Sequence, residues 1–104
     1  MIGDAALGIL RDSNSTPWLR ELVWKVAEKL GDSKNFLNTT TAMEDDHIPF
    51  LAAGIPSVDL IDFDYGPGNA YWHSAQDTMD KLSAQSLQVA GEVALETIAE
   101  LDRQ

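Results

Sequence analysis

From Ser83 onward the chain carries Leu87, Ala90, Val93, Ala94, Ile98 and Leu101 at helical spacing behind a hydroxyl N-cap, which predicts a helix over residues 84–101. A helix with one apolar stripe has to lay it on another layer, so this feature commits the chain to a layered fold. A second amphipathic helix is predicted over residues 17–30. Ser15, Thr16 and Pro17 cap and pre-set its start, Trp18, Leu19, Leu22, Val23, Val26 and Leu30 form its apolar face, and Gly31 supplies the left-handed stop. Between the two helices, residues 35–40 read as a short strand. Residues 48–51 read as a brief helix capped by Asp45 or Asp46 and ended by Gly54, and residues 55–63 as a buried strand with Val58, Leu60, Ile61 and Phe63. The order helix, strand, helix, strand, helix predicts an α/β fold in one domain over residues 1–104. Its sheet is partial, mainly parallel and twisted, with flanking helices and right-handed crossovers.

Met1, Ile2, Gly3 and Asp4 resemble the end of a strand with hardly any strand before it, so the sheet is expected to be cut there. An open parallel sheet of two or three strands leaves edges that are normally paired or blocked, and pairing with another segment or with a second copy is expected. A chain of 104 residues buries roughly 65% of the surface its unfolded form exposes, enough for a core without disulfides or a structural metal. The net charge of −10 works against nucleic acid or an anionic membrane as partner. No apolar run approaches the length of a spanning helix, and no charged segment followed by an apolar one marks a leader. With no cysteine there are no thiolate metal sites and no thiol nucleophiles, while the compartment stays open.

The chemistry has few places to be. The only two histidines, His47 in MEDDHIPF and His73 in NAYWHSAQDT, stand where the chain turns toward a helix, and open α/β sheets bind ligands beyond the carboxyl ends of their strands. A histidine at a helix start is ordinarily a hydrogen-bonded structural residue, which is the plain reading of His47. His73 follows Trp72 in a loop, YGPGNAYW, that sets glycine freedom beside three aromatic rings, a setting suited to a ligand imidazole against an apolar wall. Glu44, Asp45 and Asp46 are consecutive. Helix-end capping accounts for one carboxylate, and three in a row invite a shared proton or a raised pKa suited to acid–base work.

The string EDDHIPFLAAGIPSVDLIDF, then YWHSAQDTMDKLS and a long C-terminal helix, resembles the C-terminal half of the zinc-dependent aminopeptidase and glutaminyl-peptide cyclotransferase superfamily. The MIGD start resembles the segment just after that family's central strand, so the likeness runs over nearly the whole chain. It implies a mainly parallel twisted sheet with one or two zinc ions at the carboxyl ends of its strands. His73 matches the family's last zinc ligand, and Trp72 the aromatic wall beside the substrate's first residue. Asp45 and Asp46 match the acidic pair before His47 that supports the active site through hydrogen bonds, and Tyr65 and Tyr71 are candidates for the pocket rim. Trp72 leans toward the cyclotransferase branch. Asp59, standing where cyclotransferases commonly carry a histidine, leans away from it.

The same resemblance places the other zinc ligands and the catalytic glutamate upstream of Met1. A catalytic zinc takes three protein ligands and keeps a position open, so His73 alone is not expected to hold one stoichiometrically. The leading expectation is therefore a C-terminal part of a zinc enzyme acting on peptide N-termini, inactive by itself. Two alternatives stand beside it. One is a non-catalytic interaction domain that self-associates through its sheet edge and aromatic loop; the other is a metal site built within the chain from His47, His73 and the carboxylates of Asp45, Asp46 or Asp77.

Overall fold

The computed structural model describes residues 1–104. Its elements are β1 (Ile9–Asp12), α1 (Pro17–Lys29), β2 (Phe36–Thr41), α2 (His47–Ala52) and α3 (Ala84–Asp102), with short 3-10 turns at Ser33–Asn35, Pro67–Asn69 and Met79–Lys81. β1 and β2 pair in parallel, with Ile9 opposite Phe36 and Asp12 opposite Thr41, and α1 makes the crossover between them. The fold class is thus the expected α/β arrangement with a small parallel sheet and flanking helices.

The core lies between this sheet and the two long helices. Leu7, Ile9, Val23, Trp24, Val26, Ala27, Phe36, Val89 and Val93 form one buried cluster, with Trp24 set edge-on to Phe36 at 5.4 Å. Both helices start and stop as the sequence predicts, but their buried faces are rotated from the expected stripes. On α1, Trp24 and Ala27 are buried while Trp18 is 53% exposed; on α3, Ser86, Val89 and Thr97 are buried while Leu87, Leu95 and Ile98 are exposed. α1 and α3 pack on each other as well as contributing to the cluster with β1 and β2, so each helix divides its buried residues between two neighbours.

One expectation about strands is corrected, and one strand lies where no element was predicted. That strand is β1, on ILRD, where an arginine and an aspartate follow the apolar pair. Residues 55–63 do not form a strand. Their one sheet contact is an antiparallel bridge between Ile61 and Leu10, with the Leu10 amide donating to the Ile61 carbonyl at 2.8 Å. Side chains from the start of α1 hold the rest of this segment. The Ser57 amide donates to Thr16 Oγ1 at 2.9 Å, and the Asp59 amide donates to Ser15 Oγ at 2.9 Å. The Thr16 hydroxyl, expected to cap α1, is committed to this cross-chain tie and makes no cap hydrogen bond. Ser83 does cap α3, accepting from the Ser86 amide at 3.0 Å. Met1–Asp4 is likewise no strand: Asp4 forms an isolated antiparallel bridge with Leu82, tying the N-terminal turn to the approach to α3.

Candidate active-site cleft

Chain geometry brings the C-terminal end of β2, the start of α2 and the aromatic loop to one side of the molecule. There, Met1, Met43, Glu44, Asp45, Ile61, Phe63, Trp72 and His73 line a cleft of about 440 Å³. Trp72 and His73 are adjacent in sequence yet stacked face to face, ring centroids 4.1 Å apart and planes within 17°. Phe63 braces the indole edge-on at 5.0 Å. His73 has φ of +50°, a left-handed conformation that costs a non-glycine residue free energy and recurs where a side chain has to be aimed. Its ring is exposed and makes no hydrogen bond or ion pair within the chain, so a nitrogen is available to a ligand in the cleft.

Asp45 lies in the same cleft; Asp46 is exposed and is not on its wall. Neither side chain caps α2. Asp45 Oδ1 accepts the Asp46 amide at 2.8 Å, and the remaining support comes from backbone, with the Ile48 amide donating to the Asp45 carbonyl. Tyr65 and Tyr71, expected at the rim, do not border this cleft. Tyr65 is fully buried and donates its hydroxyl to Asp77 Oδ1 at 2.7 Å, which pushes the phenol up to about 12. Tyr71 crosses Gly66 so closely that a Cβ there would stand 2.5 Å from the ring, and it borders a separate hollow with Asp64 and Lys81. The two tyrosines, edge-on at 5.4 Å, shape the loop that carries Trp72 and His73.

Behind the cleft lies a cluster that the sequence did not disclose. His47, buried at the start of α2, places Nε2 2.7 Å from Asp12 Oδ2 and Nδ1 3.8 Å from Asp59 Oδ2. Burial pushes the Asp12 carboxyl up, but the Met43 amide, the Ser15 hydroxyl, the Asn14 amide and the neighbouring imidazole outweigh it and leave it below the usual range. Asp59 goes the other way. Burial, then the nearby Asp45 carboxyl, raise it to about 6 against the opposing pull of His47. The only local trace of this cluster is DSNS after Ile9, Leu10 and Arg11, an aspartate followed by hydroxyl and amide residues able to satisfy it on burial, and nothing in it points to His47 or Asp59.

Asp12, His47 and Asp59 are the only three such side chains whose ligand atoms converge within cation range, all lying within 4.8 Å of one another. Their donor set does not fit a metal. Asp12 Oδ1 already accepts the Met43 and Asn14 amides, and Oδ2 accepts the Ser15 hydroxyl and faces His47, so its lone pairs are committed. His73 is not joined by two further such donors of this chain. With an available nitrogen on a braced ring, it fits one position of a zinc shell, the rest of which needs other residues.

The sequence profile of Peptidase family M28 matches residues 2–98. Among solved structures, the chain is similar to the glutaminyl cyclase of an Acidobacteriales bacterium at 47% identity and a TM-score of 0.95, covering 99% of this chain and 37% of that one. It is similar to the Porphyromonas gingivalis glutaminyl cyclase at 26% identity and a TM-score of 0.86, over 97% of this chain and 40% of that one. A Zn-dependent exopeptidase from Parabacteroides distasonis is 31% identical with a TM-score of 0.82, over 94% of this chain and 36% of that one. The chain therefore spans well under half the length of each of these relatives. No curated protein matches it.

Proposed function

Because the chain belongs to peptidase family M28, we propose that it is part of a zinc-dependent enzyme acting on peptide N-termini, of the glutaminyl cyclase type. The observation that carries this reading is the Trp72–His73 stack facing an acidic cleft in a chain 47% identical to a glutaminyl cyclase. Within that reading His73 contributes one ligand to zinc, and zinc, when bound, polarises the carbonyl under attack. Trp72 offers its ring as the wall on which the first residue of the substrate packs, excluding water from one side of the reacting carbonyl. Asp45, in the cleft, accepts a hydrogen bond from the substrate's α-amine, orienting its lone pair toward the γ-carboxamide carbon. Asp46, exposed next to Asp45, adds negative charge that draws in a cationic peptide N-terminus, which reacts as the neutral amine after giving up a proton. Cyclisation joins the amine nitrogen to Cδ, the side-chain carboxamide carbon, and breaks that carbon's bond to the amide nitrogen, which takes up the proton the amine loses and leaves as ammonia.

Left to itself, this chain supplies too few ligands to hold zinc stoichiometrically and is expected to turn over neither glutaminyl peptides nor aminoacyl-anilides. The test replaces the aligned segment of the Acidobacteriales cyclase with this chain. A folded, zinc-loaded chimera that cyclises glutaminyl peptides, and loses about tenfold or more in kcat/KM on Trp72→Ala, supports the proposal. A chimera that cleaves aminoacyl-anilides and does not cyclise transfers the chain to the aminopeptidase branch. A folded chimera that does neither refutes the catalytic reading. The interaction-domain alternative has its own support in the exposed Leu87, Leu95 and Ile98 on α3. Light scattering of the isolated chain that finds a monomer at high concentration counts against self-association.

A further inference from the structure

Asn69 at φ +63° and His73 at φ +50° are the chain's only non-glycine residues in the left-handed region, and both stand in the aromatic loop, with Gly66 at +78° and Gly68 at +59° beside them. Such residues persist only where their surroundings hold them. The His73 ring rests on Trp72 and has no polar partner of its own, so its aim depends on the backbone beneath it. Tyr65 supplies the holding. It is the largest fully buried side chain of the molecule, and three of its polar groups reach into the loop. Its amide donates to Asn69 Oδ1 at 2.8 Å, its carbonyl accepts the Tyr71 amide at 3.0 Å, and its hydroxyl donates to Asp77 Oδ1 at 2.7 Å. One residue thereby ties the strained Asn69 and both flanks of His73. Inside that span the Ser74 hydroxyl donates to the Tyr71 carbonyl at 3.1 Å and the Ser74 carbonyl accepts the Asp77 amide at 3.2 Å, closing the turn that carries the imidazole.

We infer that Tyr65 is a positioning residue for His73: its buried hydroxyl, closed on Asp77, clamps the far end of the loop and fixes the direction in which the imidazole is presented to the cleft. The catalytic meaning of the clamp rests on the proposed role of His73 as a zinc ligand; the clamp itself does not. The amide and carbonyl ties of Tyr65 are backbone groups and secure the near end of the loop whatever side chain stands at position 65. Only the hydroxyl reaches past His73. A ligand side chain has to be held to within about 0.5 Å of its working position, and a loop fastened at one end would let it swing. Position 65, which the sequence suggests for the pocket rim, therefore acts on the cleft from behind, and it needs a tyrosine where a phenylalanine would fill the same space.

The experiment reads the His73 ring protons of the 104-residue chain by NMR. Lying over the indole face, they should be shifted upfield, and that shift reports the aim of the imidazole without zinc or turnover. Tyr65→Phe keeps the ring and both backbone ties and removes only the hydroxyl; most of the upfield shift should be lost while amide shifts outside residues 65–77 stay in place. Asp77 is exposed, so Asp77→Ala opens the same clamp without touching the core. It should give the same loss, and Tyr65→Phe added to it should change nothing more. Asp77→Asn, whose side-chain carbonyl still accepts from the phenol, should keep the shift. Thr97→Val removes another buried hydroxyl bond, 2.7 Å to the Val93 carbonyl within α3, and should leave the His73 protons unmoved. In the chimera, Tyr65→Phe should weaken zinc binding about tenfold or more. An Asp77→Ala or Tyr65→Phe chain that keeps the full upfield shift overturns the inference, as does a loss that Thr97→Val matches. If the shifts respond as expected and the chimera still holds no zinc, the metal reading fails and the clamp stands.

Discussion

Asp12 and Asp62 are the same residue type, each with 1% of its surface exposed, and their carboxyls are shifted in opposite directions. Asp12 accepts the Met43 and Asn14 amides and the Ser15 hydroxyl, and His47 stands against it; its carboxyl lies below the ordinary range. Asp62 accepts the amides of Gly8 and Asp64, both at 3.1 Å, and then meets Asp4, another buried carboxyl whose Oδ2 has no partner. Burial and the Asp4 carboxyl prevail over the two amides and raise Asp62 to about 6. Depth alone therefore does not decide charge in this molecule. The number and kind of donors does, and the donor-rich end lies behind the cleft, where an ionised anchor is useful.

Asp12→Ala strands the His47 ring, the Ser15 hydroxyl and two amides at once. A loss of about 3–5 kcal/mol in urea unfolding is expected, the range for removing one partner from a buried charged network. A loss under about 1 kcal/mol would mean that the network re-forms without its anchor.

The pH dependence of stability sharpens the contrast. Asp59 and Asp62 have folded values near 6, above their ordinary 3.8, so between those limits the folded chain binds more protons than the unfolded one. Unfolding free energy then falls as pH rises through that window. Asp12, lowered on folding, contributes in the opposite sense: its stabilisation is present above its ordinary value and is lost as pH drops below about 4. Stability should therefore peak at about pH 4–5, and calorimetry should give a higher Tm at pH 5 than at pH 7.5. A Tm that climbs steadily to neutral pH would contradict both raised carboxyls.

Asp4→Asn places an amide donor against Asp62 and should stabilise the chain by about 1 kcal/mol at pH 7.5, with little gain at pH 5. Equal gains at both pH values would show that the two carboxyls do not compete for a proton. Tyr65→Phe removes only the bond to Asp77 and should cost about 1 kcal/mol with the fold kept. A much larger loss would place that hydroxyl among the supports of the whole aromatic loop.

Legibility in the sequence follows the same division between local and assembled features. α1, β2, α2 and α3 were readable because their signals are short-range, from helical periodicity to the glycine stops, with Gly31 and Gly54 both at positive φ as expected. β1 was hidden because Arg11 and Asp12 look unsuited to a central strand until Ser15, Met43 and His47 are seen to satisfy the aspartate. Residues 55–63 carry a strand's composition, but Ser15 and Thr16 take up the amides that a ladder would need. The Trp72–His73 pair was legible because its members are neighbours in the chain. The Asp12–His47–Asp59 cluster joins three elements and no spacing announces it.

The proposal that His73 ligates zinc in a cleft for peptide N-termini meets its hardest trial in metal analysis of the chimeric cyclase after dialysis, with and without His73→Ala. The chimera should keep zinc, and the substituted form should lose it while retaining its fold by circular dichroism. A folded His73→Ala chimera that keeps its full complement of zinc would contradict the claim.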